Sequence, residues 1–342
     1  MIKLPGLADV HVHLRVPGGE HKEDLYSGTR AALAGGFTTI LAMPNTQPPL
    51  ITAERIRQVK ALALSQALCD VHFFGGASTD FVDQLPELAQ EAAGLKVYMD
   101  QTYGPLRVEG LGVLFSIFQK FPKGKMIAFH AEGNSVAVGI GLAAIFFRPV
   151  HFCHISRKDE IELIAAAKTS GLPVTCEVTP HHLFLSQNDL PRLGALGDMR
   201  PTLADPKDVE ALWAHINTTI DCIATDHAPH TLEEKAGEKP PPGVPGLETA
   251  LPLMLTAVSE KRLSLERLVE LMAVNPRRIY NLPEQANTWV EVDPDACWEI
   301  QNEGLYTRCG WTPFAGRQVT GRVTKVVLRS QTVFENEKYC YK

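Results

Sequence analysis

Short apolar runs rich in β-branched residues alternate with longer amphipathic or alanine-rich segments along this chain. The short runs fall at Leu7–His13, Phe37–Met43, Val71–Gly75, Leu95–Met99, Met126–His130, Val150–His154, Val174–Val178 and Cys222–Thr225. Nearly continuous hydrophobic runs of this length read as strands buried on both faces. The segments Asp24–Ala34, Ala53–Ser65, Val136–Phe147, Asp159–Ser170 and Pro206–Thr218 are examples of the helices that read between them. Eight βα units at this spacing predict an α/β fold, a (β/α)8 barrel of the TIM type. Polar residues at the C-terminal ends of the strands favour the closed barrel over a doubly wound sheet, because barrels gather their chemistry there.

Past Asp226 the pattern changes. Residues 237–246 form a Pro/Gly-rich loop expected over the barrel mouth or rim, followed by helices at Leu247–Ser259 and Ser264–Ala273. From Thr288 the chain reads as short strands, Trp289–Val292, Gly321–Leu328 and Gln331–Tyr339. These predict a small β appendage beside the barrel, built mainly from the C-terminal segment. The expected division is 1–285 for the barrel with its C-terminal helices and 286–342 for the appendage.

Composition narrows the function classes. The 342 residues carry a net charge of −6, which leaves no basic footprint for nucleic acid. Seven cysteines lie scattered without CxxC pairs, and Cys153, Cys176 and Cys222 fall inside apolar runs. Buried thiols in a reducing compartment fit this better than a disulfide framework. No signal peptide opens the sequence and no apolar stretch is long enough to span a bilayer, so the expected place is the cytoplasm, with no membrane partner. Val136–Phe147 comes nearest to a span. It is too short, runs into Arg148-Pro149, and reads as a core helix.

The chemistry is concentrated at strand ends. In His11-Val12-His13 the two imidazoles share one face of a strand, and Arg15 two residues on can reach an anion beside them. A pair of ordinary surface histidines is the plainer reading of that tripeptide. Ligand-type residues recur, however, at Lys96, His130, His154 and Asp226 on the fourth, fifth, sixth and eighth strands. Imidazole and carboxylate suit a borderline ion such as zinc. The set is too large for one tetrahedral catalytic ion. It suits two ions about 3.5–4 Å apart, provided something bridges them. Lys96 lies in an apolar run, where a buried charge is costly. Either it is a salt-bridged core lysine, or its uncharged amine combines with CO2 to give a carbamate whose two oxygens serve both ions.

The runs Asp9-Val10-His11-Val12-His13-Leu14-Arg15, Ala42-Met43-Pro44-Asn45-Thr46, Gly94-Leu95-Lys96-Val97-Tyr98, His130-Ala131-Glu132, His151-Phe152-Cys153-His154, Cys176-Glu177-Val178-Thr179-Pro180-His181-His182, Met199-Arg200-Pro201 and Asp226-His227-Ala228-Pro229-His230 occur in order. Together they resemble the cyclic amidohydrolases, and among these the dihydroorotases, most of all the dihydroorotase domain of the animal-type multifunctional pyrimidine-synthesis protein. The likeness covers essentially the whole chain.

The resemblance implies two zinc ions per chain, bridged by a carboxylated Lys96 and a hydroxide. His11, His13, Lys96 and Asp226 would hold the first ion, and Lys96, His130 and His154 the second. Arg15, Asn45 and His230 would bind the substrate carboxylate, with Arg200 as a further substrate contact. Asp226 would be the acid/base, and Thr102 the polar tip of a mobile loop, Asp100–Gly104. Cys153 and Glu177 lie where some relatives hold a further metal, and a buried thiol with a second-sphere carboxylate explains them equally well. The implied reaction is reversible cyclisation of N-carbamoyl-L-aspartate to L-dihydroorotate in pyrimidine biosynthesis. A homodimer is the usual assembly of such proteins, and fusion to carbamoyl phosphate synthetase and aspartate transcarbamoylase domains would fit the multifunctional relatives. Two departures stand out: Val16 where many relatives carry glutamate, and Tyr103 where phenylalanine is common. The competing readings are a hydantoinase or allantoinase, and an inactive structural domain of dihydroorotase type.

Overall fold

Among the described residues, fourteen strands and the helices between them build a barrel and an antiparallel sheet. The computed structural model describes residues 1–336 and 338–340. Strand β1 (Ile2–Pro5) is followed by the barrel strands β2 (Leu7–Val12), β3 (Phe37–Ala42), β4 (Asp70–Phe73), β5 (Gly75–Gly76), β6 (Gly94–Tyr98), β7 (Met126–His130), β8 (Val150–Phe152), β9 (Val174–Val178) and β10 (Cys222–Ile223). The barrel strands pair in parallel, β2–β3–β4 on one side and β5 through β10 in order on the other. Strands β4 and β5 are one barrel strand interrupted at Phe74, whose N–H still bonds to the Ala42 carbonyl at 2.9 Å. Closure between the first and last strands is made by a parallel bridge of Val12 to His227 and by His13 N–H donating to the His227 carbonyl at 2.7 Å. The eight strands expected from the hydrophobic pattern are therefore present.

The seam carries a buried carboxylate. Asp9 accepts from the Thr225 N–H at 3.2 Å, the Thr225 hydroxyl at 2.5 Å and the His11 N–H at 3.0 Å. Burial outweighs those bonds and pushes its carboxyl up to about 7. The inner layer of the barrel is apolar and small, with Val10, Leu41, Phe74, Ala128, Cys153, Cys222 and Ala224 in one cluster. Large side chains such as Phe37, Phe118, Phe129 and Phe152 fill the space between strands and outer helices.

The helices follow local chemistry. Leu25–Ala34 starts at Asp24, whose carboxylate accepts from Ser27 N–H at 2.7 Å while the Ser27 hydroxyl bonds back, a capping box worth about 1 kcal/mol. The expected core helix is Asn134–Phe146, and it is only half buried. Val136, Gly139, Leu142 and Ala143 face the barrel, whereas Ile145 and the following Phe147 are 67% and 74% exposed. A barrel helix meets its strands along a single stripe, so an apolar sequence does not suffice to bury it all round.

The appendage is a five-stranded antiparallel sheet ordered β1, β11 (Trp289–Glu299), β12 (Gln318–Leu328), β13 (Gln331–Glu335) and β14 (Lys338–Tyr339). Strand β11 runs seven residues beyond its expected end. The chain start contributes the edge strand, with Ile2 opposite Val292 and Pro5 opposite Trp289. The connection from β11 to β12 crosses back to the barrel mouth, where Trp311 is fully buried and its indole N–H donates to the His230 carbonyl at 2.7 Å.

Candidate metal centre and substrate pocket

Strand ends bring the ligand-type residues together at the C-terminal mouth of the barrel. His11 on β2 and His13 just past its end lie two residues apart, which places them on one side of the chain. Their Nε2 atoms lie 3.3 and 3.1 Å from the same oxygen of Asp226, Oδ1. The ligand atoms of these three residues all fall within 4.8 Å of one another. His130, at the end of β7, contacts His154 beyond β8, with Nδ1 2.8 Å from Nε2. His154 and His11 are neighbours, with ring centroids 5.2 Å apart. Lys96 on β6 is fully buried, and its ammonium sits 2.9 Å from the Cys153 sulfur.

Glu177, at the C-terminal end of β9, organises this layer from beneath. One oxygen accepts from His11 Nδ1 at 2.5 Å and from the His154 N–H at 3.2 Å, and the other accepts from His151 Nε2 at 3.0 Å. A carboxylate on Nδ1 leaves the opposite ring nitrogen facing the centre. His11, Cys153 and Glu177 also form a compact group of possible ligands, and so do His151, Glu177 and Cys222.

The electrostatics favour a cation at the centre. Burial opposes ionisation of Asp226, but His11 and His13 outweigh it and hold the carboxyl well below its usual range. Burial lowers His13 to about 4 and His154 well below normal, so both rings stay neutral, as metal ligands must. Burial also acts to lower His11, yet Asp226 and Glu177 overcome it and push the ring up to about 10. A proton is thus drawn to a place between two carboxylates that a metal ion would fill. The Nδ1 of His154 is buried with no hydrogen-bond partner among the described residues. The donor set fits a metal centre.

Beside the centre lies a cavity of about 390 Å3 lined by Arg15, Lys22, Asn45, Thr46 and Tyr103 among others. Arg15 donates through Nε to the Pro229 carbonyl at 3.1 Å, which fixes the fork. Asn45 accepts from His13 Nδ1 at 2.7 Å and donates to the Tyr103 carbonyl at 3.1 Å. His230 has Lys22 Nζ 3.2 Å from Nδ1, with Arg15 and the Pro242 carbonyl 3.0 and 3.1 Å from Nε2. Burial and the two flanking cations hold this ring neutral. A neutral ring has one lone pair. If Lys22 donates to it at Nδ1, the Nε2–H serves Pro242, and the Arg15 amino group faces an N–H instead of an acceptor. Arg15 then carries donors ready for an anion.

The remaining expected residues are placed less centrally. Arg200 donates to Asp198 and to the Met199 carbonyl. Thr102 is half buried on the loop, while its neighbour Tyr103 covers the cavity, with its ring 5.8 Å from the Arg15 guanidinium carbon and 5.4 Å from His230. Lys22 was not visible as a site residue in the sequence. It is 6% exposed and also ion-paired to Glu234 at 2.8 Å. The only signal was a lysine closely following the first strand, and lysines there are ordinary.

Three of the site residues sit on strained backbone. Arg15, His154 and Asp226 have φ of 62°, 35° and 46°, a region that non-glycine residues occupy at a cost of about 1 kcal/mol or more.

The amidohydrolase family profile matches residues 2–288, and the chain belongs to that family. Within it, the chain is 37% identical over 379 residues to a dihydroorotase of Staphylococcus epidermidis, covering 98% of this chain and 88% of the relative. It is 51% identical over 335 residues to the multifunctional protein CAD of Squalus acanthias, covering 98% of this chain. The chain spans 15% of the length of that relative. Among solved structures, an L-hydantoinase (dihydropyrimidinase) from Arthrobacter aurescens superposes with a TM-score of 0.93 at 26% identity, over 100% of this chain and 87% of the other. The inactive dihydroorotase-like domain of a Chaetomium thermophilum CAD-like multifunctional protein superposes with a TM-score of 0.84 at 28% identity, over 99% and 96%.

Proposed function

We propose that this protein is a dihydroorotase, which interconverts N-carbamoyl-L-aspartate with L-dihydroorotate and water, using two zinc ions. The observation that carries the proposal is the meeting of two sets at one barrel mouth. His11 and His13 converge on Asp226 Oδ1, and next to them Arg15, flanked by His230, has donors free for a carboxylate. His11, His13 and Asp226, with Lys96 as its carbamate, would hold one ion. Lys96, His130 and His154 would hold the other. Bound there, the ions would supply Lewis acidity and lower the pKa of water toward ~7.

The chain's own groups do the rest. Arg15 offers a planar fork to the substrate carboxylate, a match that lysine cannot make. Asn45 and the neutral His230 fix the direction of approach. Both histidines meet Asp226 at Oδ1, which leaves Oδ2 to accept a proton in hydrolysis and return it to the leaving nitrogen. The Asp100–Gly104 loop, with Thr102 and Tyr103, would cover the substrate and exclude water.

Zinc content and dihydroorotate hydrolysis measured on one purified sample test the reading. Two zincs per chain with turnover support it, and Asp226→Asn should keep substrate binding and lose turnover in both directions. Normal turnover by that variant refutes the acid/base role. Zinc with hydantoin turnover instead of dihydroorotate turnover would put the protein beside the hydantoinases, and zinc-free inactive protein would make it a structural domain.

A further inference from the structure

The mouth contains a buried polar group that the mechanism above leaves unused. Tyr98 is the last residue of β6, two positions beyond Lys96, so both side chains project to the same face of the strand. It is 3% exposed, and its hydroxyl has no hydrogen-bond partner among the described residues. Its ring centroid lies 5.2 Å from Lys96 Nζ and 6.1 Å from the His130 ring. Asp226, Cys153 and Arg15 are near enough to act on it electrostatically. The body of the ring is held by Ile51 and Leu106, which fix its position without supplying a polar contact.

An unpaired buried hydroxyl costs stability, and phenylalanine would fill the same space without that cost. The cost is understandable if the partner arrives with the substrate. Tyr98 belongs to the same layer as Lys96 and His130, and a cyclic ureide whose carboxylate is held at Arg15 and whose reacting amide faces His11, His130 and Asp226 would lie against that layer. We infer that the Tyr98 hydroxyl is a catalytic donor, giving a hydrogen bond to the carbonyl oxygen of the ring amide that is cleaved or formed. This inference rests on the dihydroorotase reading. No proton is transferred: the phenol keeps its hydrogen and stabilises the charge that gathers on that oxygen as the carbonyl carbon becomes tetrahedral. A fixed donor of this kind acts where charge develops, so its removal lowers kcat more than it raises KM.

The test is Tyr98→Phe in the metal-loaded protein, read as kcat and KM for dihydroorotate, zinc per chain and melting temperature. The expected result is a fall in kcat of about 100-fold, with KM changed less than about threefold, zinc unchanged and a melting temperature equal to or above that of the parent. Unchanged kcat overturns the inference, because the hydroxyl then does nothing in the reaction. A fall in kcat accompanied by loss of zinc or a lower melting temperature also overturns it, since the residue would then support the metal shell or the fold. The parent protein separates the two levels. If the parent does not turn over dihydroorotate, the dihydroorotase reading fails and the inference with it. If the parent is active and the variant matches it, only the inference falls.

Discussion

Glutamine in place of Glu177 keeps the shape of the side chain and removes its charge, which isolates what that charge does for the centre. The Glu177 carboxylate receives His11 Nδ1 at 2.5 Å, the His154 N–H at 3.2 Å and His151 Nε2 at 3.0 Å. The first of these bonds sets the His11 tautomer and enriches the ring in electron density, so its Nε2 is a better donor to a metal. A charge-assisted bond is about twice as strong as a neutral one. With a neutral bond worth about 1 kcal/mol net, the amide forfeits about 1–1.5 kcal/mol at His11. That corresponds to about a 10-fold weaker hold on the ion bound there. Competition between the protein and a zinc chelator, run on parent and Glu177→Gln in parallel, measures this directly. Unchanged affinity would refute the argument, because the short bond would then carry no influence to the centre. The zinc count adds a second reading. His11, Cys153 and Glu177 have ligand atoms within 4.8 Å of one another, so loss of one whole zinc equivalent would mean that Glu177 is itself a ligand.

Two further perturbations probe the frame around the site. His182 is buried, with Nδ1 2.8 Å from the Thr179 hydroxyl and Nε2 3.1 Å from the Pro201 carbonyl, and burial lowers it to about 4. The Pro201 carbonyl can only accept, so Nε2 carries the hydrogen of the neutral ring and the Thr179 hydroxyl donates to Nδ1, and protonation there breaks that bond. The folded pKa lies below the unfolded value of about 6.5, so the stabilisation is complete above that pH and is lost as pH falls toward 4. The loss is about 3 kcal/mol across the window. His182→Gln should flatten that part of a urea-midpoint profile, and an identical profile would refute the sign and the cause. Arg148 is fully buried with no carboxylate partner among the described residues, and its guanidinium donates to the carbonyls of Phe118, Phe121, Pro122 and Lys125 at 2.7–3.3 Å. Arg148→Met strips the end of the helix Leu111–Lys120 of its donors and should cost about 3 kcal/mol in chemical denaturation, leaving zinc content unaltered; a loss under 1 kcal/mol would show that water replaces the guanidinium.

The parts of the molecule that were legible in the sequence share one property: their partners are set by local geometry. His11 and His13 had to share a face because they lie two apart on a strand. Lys96, His130, His154 and Asp226 converged because strand ends in a barrel converge. The helix Leu111–Lys120 was not foreseen, since it starts at Gly110 without a side-chain cap and is apolar over more than one stripe. Strand β1 was not foreseen because four residues carry no periodicity, and their partners are nearly 290 residues away. The same holds for the supports of the mouth. Thr307 donates to Glu23, which also receives His227 Nε2 at 3.3 Å, and Trp311 holds His230; the Thr307 and Trp311 contacts reach from the β11–β12 connection to the start and middle of the chain. Nothing in a one-dimensional pattern links such residues.

The strained backbone at Arg15, His154 and Asp226 shows why those long-range supports exist. Each residue sits just past a strand end, where regular pairing no longer dictates φ, and each has turned into the left-handed region. Relaxing any one of them would swing a guanidinium, an imidazole or a carboxylate away from the mouth. Local sequence does not oppose that relaxation, because none of the three is glycine. The opposing forces come from elsewhere. Arg15 is held through Nε by the Pro229 carbonyl, His154 through its N–H by Glu177, and Asp226 is bracketed by Thr225 on Asp9 and by His227 between Glu23 and the Gly246 N–H. Each anchor belongs to a different strand or loop from the residue it restrains. The barrel therefore converts contacts made at closure into side-chain direction at the mouth. That is how three residues on strained backbone keep their side chains aimed at the mouth.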